Sequence, residues 1–160
     1  MLAHEFVAGA KSAGHHVTVL DATHLKLHYC KGCDACKKDA ECVQKDDGAV
    51  VRGEVLSADM VVFVTPVYYF GMSAQLKTLV DRFHGYTAEL KGKGMKAALI
   101  AALADRDEEA VLPLKAHYEQ ICNYLHFENA GEIFGKGCAQ PILTRGSKYM
   151  KEAYDLGKSL

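Results

Sequence analysis

The sequence has no apolar run near the roughly 20 residues that a membrane-spanning helix needs. Its longest, around Met60 to Val64 and Ala97 to Ala104, fall far short, so no membrane partner is expected. It also lacks an excess of either charge. The 19 Lys and Arg residues face 20 Asp and Glu, for a formal net charge of -1, which argues against wholesale polyanion binding and against nucleic acid as a partner. No basic segment followed by an apolar stretch and a small-residue cleavage site opens the chain. Secretion is therefore not indicated, and a cytoplasmic location is expected. In that compartment six cysteines read as thiols or metal ligands rather than as a disulfide framework. Internal repeats and low-complexity tracts are missing too. The glycine pair Gly135-Lys-Gly137 lacks the remainder of a dinucleotide fingerprint and is assigned no function.

What is present suits one domain over residues 1–160, since 49% hydrophobic composition supplies a single substantial core. Leu2, Phe6 and Ala10 recur at helical spacing with Gly14 as a stop, and Val17 to Leu20 reads as a strand. A long cysteine-rich connection follows, at about 22–46, and loops of that length inside compact domains are usually functional or disordered. Asp46 and Asp47 suit the start of a helix carrying Val50, Val51, Val55 and Leu56. The unbroken run Met60 to Thr65 has the pattern of a strand buried on both faces of a parallel sheet. After a turn at Pro66 to Met72, Ser73 caps a helix with the stripe Leu76, Leu79, Val80 and Phe83. A strand at Lys96 to Ala104, a helix from about Pro113 to His126, a short strand near Glu132 to Phe134 and a helix from about Ser147 complete the alternation. Such alternation predicts a parallel sheet covered by helices on both faces, with ligands at the carboxyl ends of the strands.

Cys30, Cys33, Cys36 and Cys42 stand in a C-x2-C-x2-C-x5-C arrangement. Four thiolates so close in sequence can converge on one four-iron cluster. Unmetallated thiols, a redox disulfide and zinc remain open alternatives, zinc being disfavoured because its ligand pairs are usually separated by a longer loop. Cys122 on a helix stripe and Cys138 in a turn read as structural. His15 and His16 flank a helix end, where solvated cations suit the dipole, and His84 reads as a surface helix end.

The segment Ala58-Asp-Met-Val-Val-Phe-Val-Thr-Pro-Val-Tyr-Tyr-Phe-Gly-Met-Ser-Ala-Gln-Leu-Lys77, followed by Val80-Asp-Arg-Phe83, resembles the strand and flavin loop of the NADPH-dependent FMN reductase and iron-sulfur flavoprotein group. Gly9-Ala-x-x-Ala-Gly-His-x-Val and Leu90-Lys-Gly-Lys extend the resemblance over nearly the whole chain. It implies a flavodoxin-like α/β three-layer sandwich. Thr65, Pro66, Val67, Tyr68, Tyr69, Phe70, Gly71 and Met72 would surround the isoalloxazine of FMN, with Ala104 and Asp105 in a second flavin-side loop. An aromatic side chain can stack on the flat ring, Pro66 stiffens the turn and Gly71 permits close backbone approach. The cysteine run is similar to the cluster motif of iron-sulfur flavoproteins, so a 4Fe-4S cluster at Cys30, Cys33, Cys36 and Cys42 is implied.

The implied activity is an oxidoreductase in which NAD(P)H reduces FMN and the electrons pass to a flavin, a quinone or an iron-sulfur acceptor. Hydride transfer to the ring needs no side-chain acid or base, so no catalytic residue is named. The resemblance also implies a small-molecule electron acceptor and a homodimer or homotetramer that covers the ring. Family members open with a strand and a phosphate-binding loop, which Met1 here follows rather than precedes. The expectation is therefore that the first strand is missing, that Met1 is an internal methionine of a longer polypeptide, and that the 160-residue form holds FMN weakly. The alternative is a truncated, non-enzymatic flavodoxin-like protein that binds metal or serves as an assembly subunit.

Overall fold

In a computed structural model, which describes residues 1–39 and 41–160, helices and parallel strands alternate along the chain. Ala40, inside the cysteine-rich loop, lies outside the described residues. The helices are α1 (Leu2–Ser12), α2 (Cys36–Asp39), α3 (Gly48–Ser57), α4 (Ala74–Asp81), α5 (Thr87–Lys91), α6 (Leu112–Leu125), α7 (Pro141–Arg145) and α8 (Tyr149–Lys158). The strands are β1 (Met60–Pro66), β2 (Lys96–Ala102) and β3 (Glu128–Gly135). They form one parallel sheet in the order β1-β2-β3, with Met60 opposite Lys96 and Lys96 opposite Glu128. Among the described residues, no helix is long and apolar enough to cross a membrane.

Alternation of side chains along each strand sorts the apolar residues into two cores. On one face Phe63, Ala97, Leu99 and Ala101 pack with Val51 and Val55 of α3, Leu76 and Leu79 of α4, and Leu114 and Tyr118 of α6. Phe63 sits at the middle of this core, 6.4 Å from the Phe83 ring and 6.0 Å, edge-on, from Tyr118. On the other face Ile100 and Ile133 meet Leu2, Phe6 and Ala10 of α1 and Ala153 of α8. The helical stripe at the chain start thus packs as its spacing predicts. Two glycines let these helices touch: a Cβ on Gly9 would overlap the Tyr154 carbonyl oxygen, and one on Gly157 would overlap that of Phe6.

Several elements differ from expectation. Val17 to Leu20 is not a strand. Its Val17 rests against the second core and Leu20 against the first, while Val19 is exposed. A strand exists only through pairing, and no described strand offers this segment a ladder. β1 pairs with β2 alone among the described residues, so its outer side is open and Val64 is exposed rather than buried. β3 begins four residues before the expected Glu132, because Asn129 and Gly131 enter the ladder through a bulge opposite Ala97 and Ala98. The Asn129 side chain accepts hydrogen bonds from Gly131 N (3.1 Å) and Tyr118 Oη (3.0 Å). β2 stops at Ala102, two residues short of the expected end.

Candidate active site

The carboxyl ends of the three strands open into three neighbouring loops. The first is braced from inside. Thr65 is buried, its hydroxyl donating to Pro66 O (2.8 Å) and accepting from Ser73 N (2.9 Å). Ser73 in turn caps α4 by accepting from Leu76 N (3.4 Å), as its place before the apolar stripe predicts. Val67 N donates to Ala102 O (2.8 Å), tying the turn to the end of β2. Met72 is buried in the first core. Thr65 and Met72 therefore brace the turn from within, while Pro66, Tyr68, Tyr69 and Phe70 between them are exposed. Replacing Thr65 by Val strips Ser73 N of its partner. We expect a loss of about 1 to 3 kcal/mol, measured by chemical denaturation.

At the tip, Tyr68 and Gly71 exchange two backbone hydrogen bonds of 3.0 Å, leaving Tyr69 and Phe70 as a two-residue turn. Both have positive φ, 47° and 65°, the geometry that hairpin turns of this size usually build from Asn and Gly. An aromatic residue there costs about 1–2 kcal/mol per position, and such conformations persist where function or surroundings demand them. Tyr69 is 100% exposed, Tyr68 62% and Phe70 57%. Among the described residues the amides of Tyr69 and Phe70 have no hydrogen-bond partner. The tip thus presents two aromatic rings and two backbone donors to solvent.

The second loop, after β2, comes up beside this tip. Phe70 shares a cleft of about 400 Å3 with Asp105, Asp107, Glu109, Ala110 and Pro113, so two of the sequence-predicted segments meet. Asp105 shapes the loop by accepting from Arg106 N (2.7 Å) and Asp107 N (3.0 Å). Its carbonyl accepts from Gly137 N (2.9 Å) in the third loop. Gly137 has φ +73°, and a Cβ there would press on Arg106. The glycine pair with no sequence-assigned role is therefore the joint that holds the third loop against the second. Ala104 is exposed beside Asp105.

The cysteine loop lies at the other end of α4. Cys33 and Cys42 are exposed, Cys30 and Cys36 half-buried, and all are free thiols. Cys30 shares a cleft of about 450 Å3 with Gly32, Asp34, Asp81 and His84. His84 is exposed at a surface helix end, as expected, and there contacts the loop directly through Asp34 (2.8 Å). Among the described residues no three His, Cys, Asp or Glu side chains are gathered as a metal-ligand group. The donor chemistry of the four cysteines suits an iron-sulfur cluster, but their placement does not. Cys122 and Cys138 are buried, as expected, and burial pushes the Cys122 thiol up.

Sequence reasoning missed the residues that fasten this loop. Asp46 accepts from Arg82 Nη1 (2.7 Å) and Nη2 (3.0 Å), from His28 N (2.9 Å) and from Gly48 N (2.9 Å). Arg82 Nη1 also donates to His28 O (2.9 Å). The ion pair is almost fully buried, with side-chain exposures of 1% for Asp46 and 5% for Arg82. Burial alone would raise the Asp46 carboxyl. The bonds from Arg82, His28 and Gly48 more than offset it and hold the group well below the usual carboxylate range. A visible signal was Asp81-Arg82-Phe83, whose arginine ends an otherwise apolar helix face.

Open parallel sheet, helices on both faces and a ligand-sized cleft over the carboxyl ends of the strands define a flavodoxin-like nucleotide-binding fold. The flavodoxin of Megasphaera elsdenii superposes with a TM-score of 0.61 over 99% of this chain and 89% of its own, at 15% identity. The family model for NADPH-dependent FMN reductase matches residues 1–133, and the chain belongs to that family. An iron-sulfur flavoprotein of Methanocaldococcus jannaschii is 37% identical over 147 residues, 89% of this chain and 74% of that protein. An iron-sulfur flavoprotein of Archaeoglobus fulgidus is 35% identical over 101 residues, covering 62% of this chain and 46% of that protein. The chain thus spans less than half the length of the Archaeoglobus relative.

Proposed function

We propose that the chain is an FMN-dependent NAD(P)H oxidoreductase whose ring site is the cleft between the Pro66 to Gly71 turn and the Ala104 to Asp107 loop. The observation that carries this reading is the left-handed Tyr69-Phe70 tip, with exposed rings and unpaired amides set beside a cleft. Bound FMN would supply the redox chemistry there, two-electron oxidation of a reduced nicotinamide and delivery of those electrons to an acceptor. The protein's part is placement. Phe70 and Tyr69 offer flat apolar faces for a planar ring, and the amides of Tyr69 and Phe70 can donate to its polar edge. Thr65 and Ser73 fix the turn so that these donors are set before the ring arrives. Asp105, Asp107 and Glu109 make the far wall acidic, which suits a neutral or cationic reacting ring better than an anionic one.

Exposure of Tyr68, Tyr69 and Phe70 on one tip supports cover by a second subunit, in a dimer or tetramer. Flavin, quinone or another small molecule can serve as acceptor. The name of the archaeal relatives adds an iron-sulfur cluster to the candidates, but among the described residues the four thiols are not gathered as a metal-ligand group.

Gly71 provides a clean test. A Cβ there would meet only Tyr68 O, at 3.8 Å, so Gly71→Val has room in the free protein. We expect folding stability to change by no more than about 0.5 kcal/mol. Titration with FMN, followed by flavin fluorescence quenching, should show binding at least roughly tenfold weaker, because the added bulk stands where the ring approaches. Unchanged affinity would place the ring elsewhere.

A further inference from the structure

The Asp46–Arg82 pair lies outside the cleft beside Phe70, and it is the most deeply buried ion pair described. It closes a ring of backbone around the cysteines. Asp47 accepts from Lys26 N (2.7 Å), and Asp47 N donates to Lys26 O (3.1 Å). Asp46 holds His28 N and Gly48 N. Residues 26–28 are thereby bound to residues 46–48, and all four loop cysteines lie between these two stems. Arg82 bolts the closed neck to the segment that leaves α4, by two bonds to Asp46 and one to His28 O.

Beyond the neck, the ion pairs among the described residues are exposed. Asp34 meets His84 (2.8 Å) and Lys37 (2.7 Å), both in solvent. Cys36 lies against Gly85, where a Cβ would stand 3.8 Å from its sulfur. Surface pairs of this kind contribute about 0–1 kcal/mol each. The buried pair has far more to lose, since removing one partner leaves the other charge stranded without water.

We propose that Asp46 and Arg82 are positioning residues forming a latch, which fastens the neck of the cysteine loop to the C-terminal end of α4. The loop that carries the four thiols, which are not gathered as a metal-ligand group among the described residues, is then held at one place on the fold. That place is one end of the helix whose other end is the Ser73 cap under the aromatic turn, about 12 Å away by the rise of an eight-residue helix. The latch belongs to the cysteine loop itself and stands whether or not the flavin reading does.

Hydrogen exchange tests it on the flavin-free protein, with Asp46→Asn, Arg82→Lys and the double variant. We expect the hydrogen-bonded neck amides of Lys26, His28, Asp47 and Gly48 to exchange about tenfold faster or more in each single variant, while those of residues 97–101 in the core strand keep their protection. Alkylation of Cys36, counted by mass spectrometry, should accelerate with them. Already exposed Cys33 should change little. The double variant should open no further than the worse single one, because the two side chains act as a unit. Equal loss of protection in residues 97–101 would mean that the pair merely holds the fold together. Unchanged exchange at the Lys26, His28, Asp47 and Gly48 amides, or multiplicative effects in the double variant, would overturn the latch.

Discussion

Replacing Tyr69-Phe70 by Asn-Gly is expected to make the protein more stable and a poorer flavin binder at once. Both residues sit at positive φ, which costs an ordinary side chain about 1–2 kcal/mol and costs Asn or Gly much less. Neither ring repays that cost by burial, since both are exposed. The Tyr68 and Gly71 pairing that closes the turn uses backbone atoms only, so it survives the exchange. Thermal or chemical denaturation should therefore show a gain of roughly 2 kcal/mol. Binding should move the other way by about tenfold or more, because the apolar faces that would stack on the ring are gone. A stabilised variant with wild-type FMN affinity would show that these aromatics serve something other than the ring. A destabilised one would show that the turn is not strained.

The second large effect is expected far from the cleft. Gly157→Val sets a branched side chain where α8 meets the Phe6 carbonyl of α1, with no flexible neighbour to give way. The helices must separate, and Leu2, Phe6 and Ala10 then lose contact with Ile100, Ile133 and Ala153. Overpacking of this kind typically costs 1–3 kcal/mol and occasionally more. Backbone as the obstacle puts this site at the upper end, about 3 kcal/mol. Urea denaturation should show a lower midpoint with little change in slope, and Gly9→Val should behave similarly through Tyr154. A cost under about 0.5 kcal/mol, the size of an ordinary surface change, would contradict the close helix contact.

How far the sequence could be read depended on how local each cause was. β1 and α4 were legible because an apolar β-branched run, a turn and a capping serine follow one another within residues 60–76. The helix carrying Pro113 was legible because proline is tolerated in a first turn. Val17 to Leu20 misled because its composition is that of a strand, while pairing is supplied by other parts of a chain. The left-handed tip was hidden for a different reason. Aromatic residues are poor hairpin-turn formers, so nothing in Tyr69-Phe70 announces positive φ. Asp46 and Arg82 lie 36 residues apart, and each was read for its neighbours: one as a helix start, the other as part of a family motif. The cysteines show the opposite limit. Their spacing is compact, yet among the described residues they are not gathered as a metal-ligand group.

Backbone amide NMR of the labelled protein, titrated with FMN, reads out whether a flavin ring lies against the Tyr69-Phe70 tip and the Asp105 loop. The largest shifts should fall on Tyr69, Phe70 and Gly71, with a second group at Ala104 to Asp107, and residues 28–42 should move less. Shifts concentrated on the cysteine loop or on the α1–α8 face, with the tip unmoved at saturation, would contradict that position of the ring.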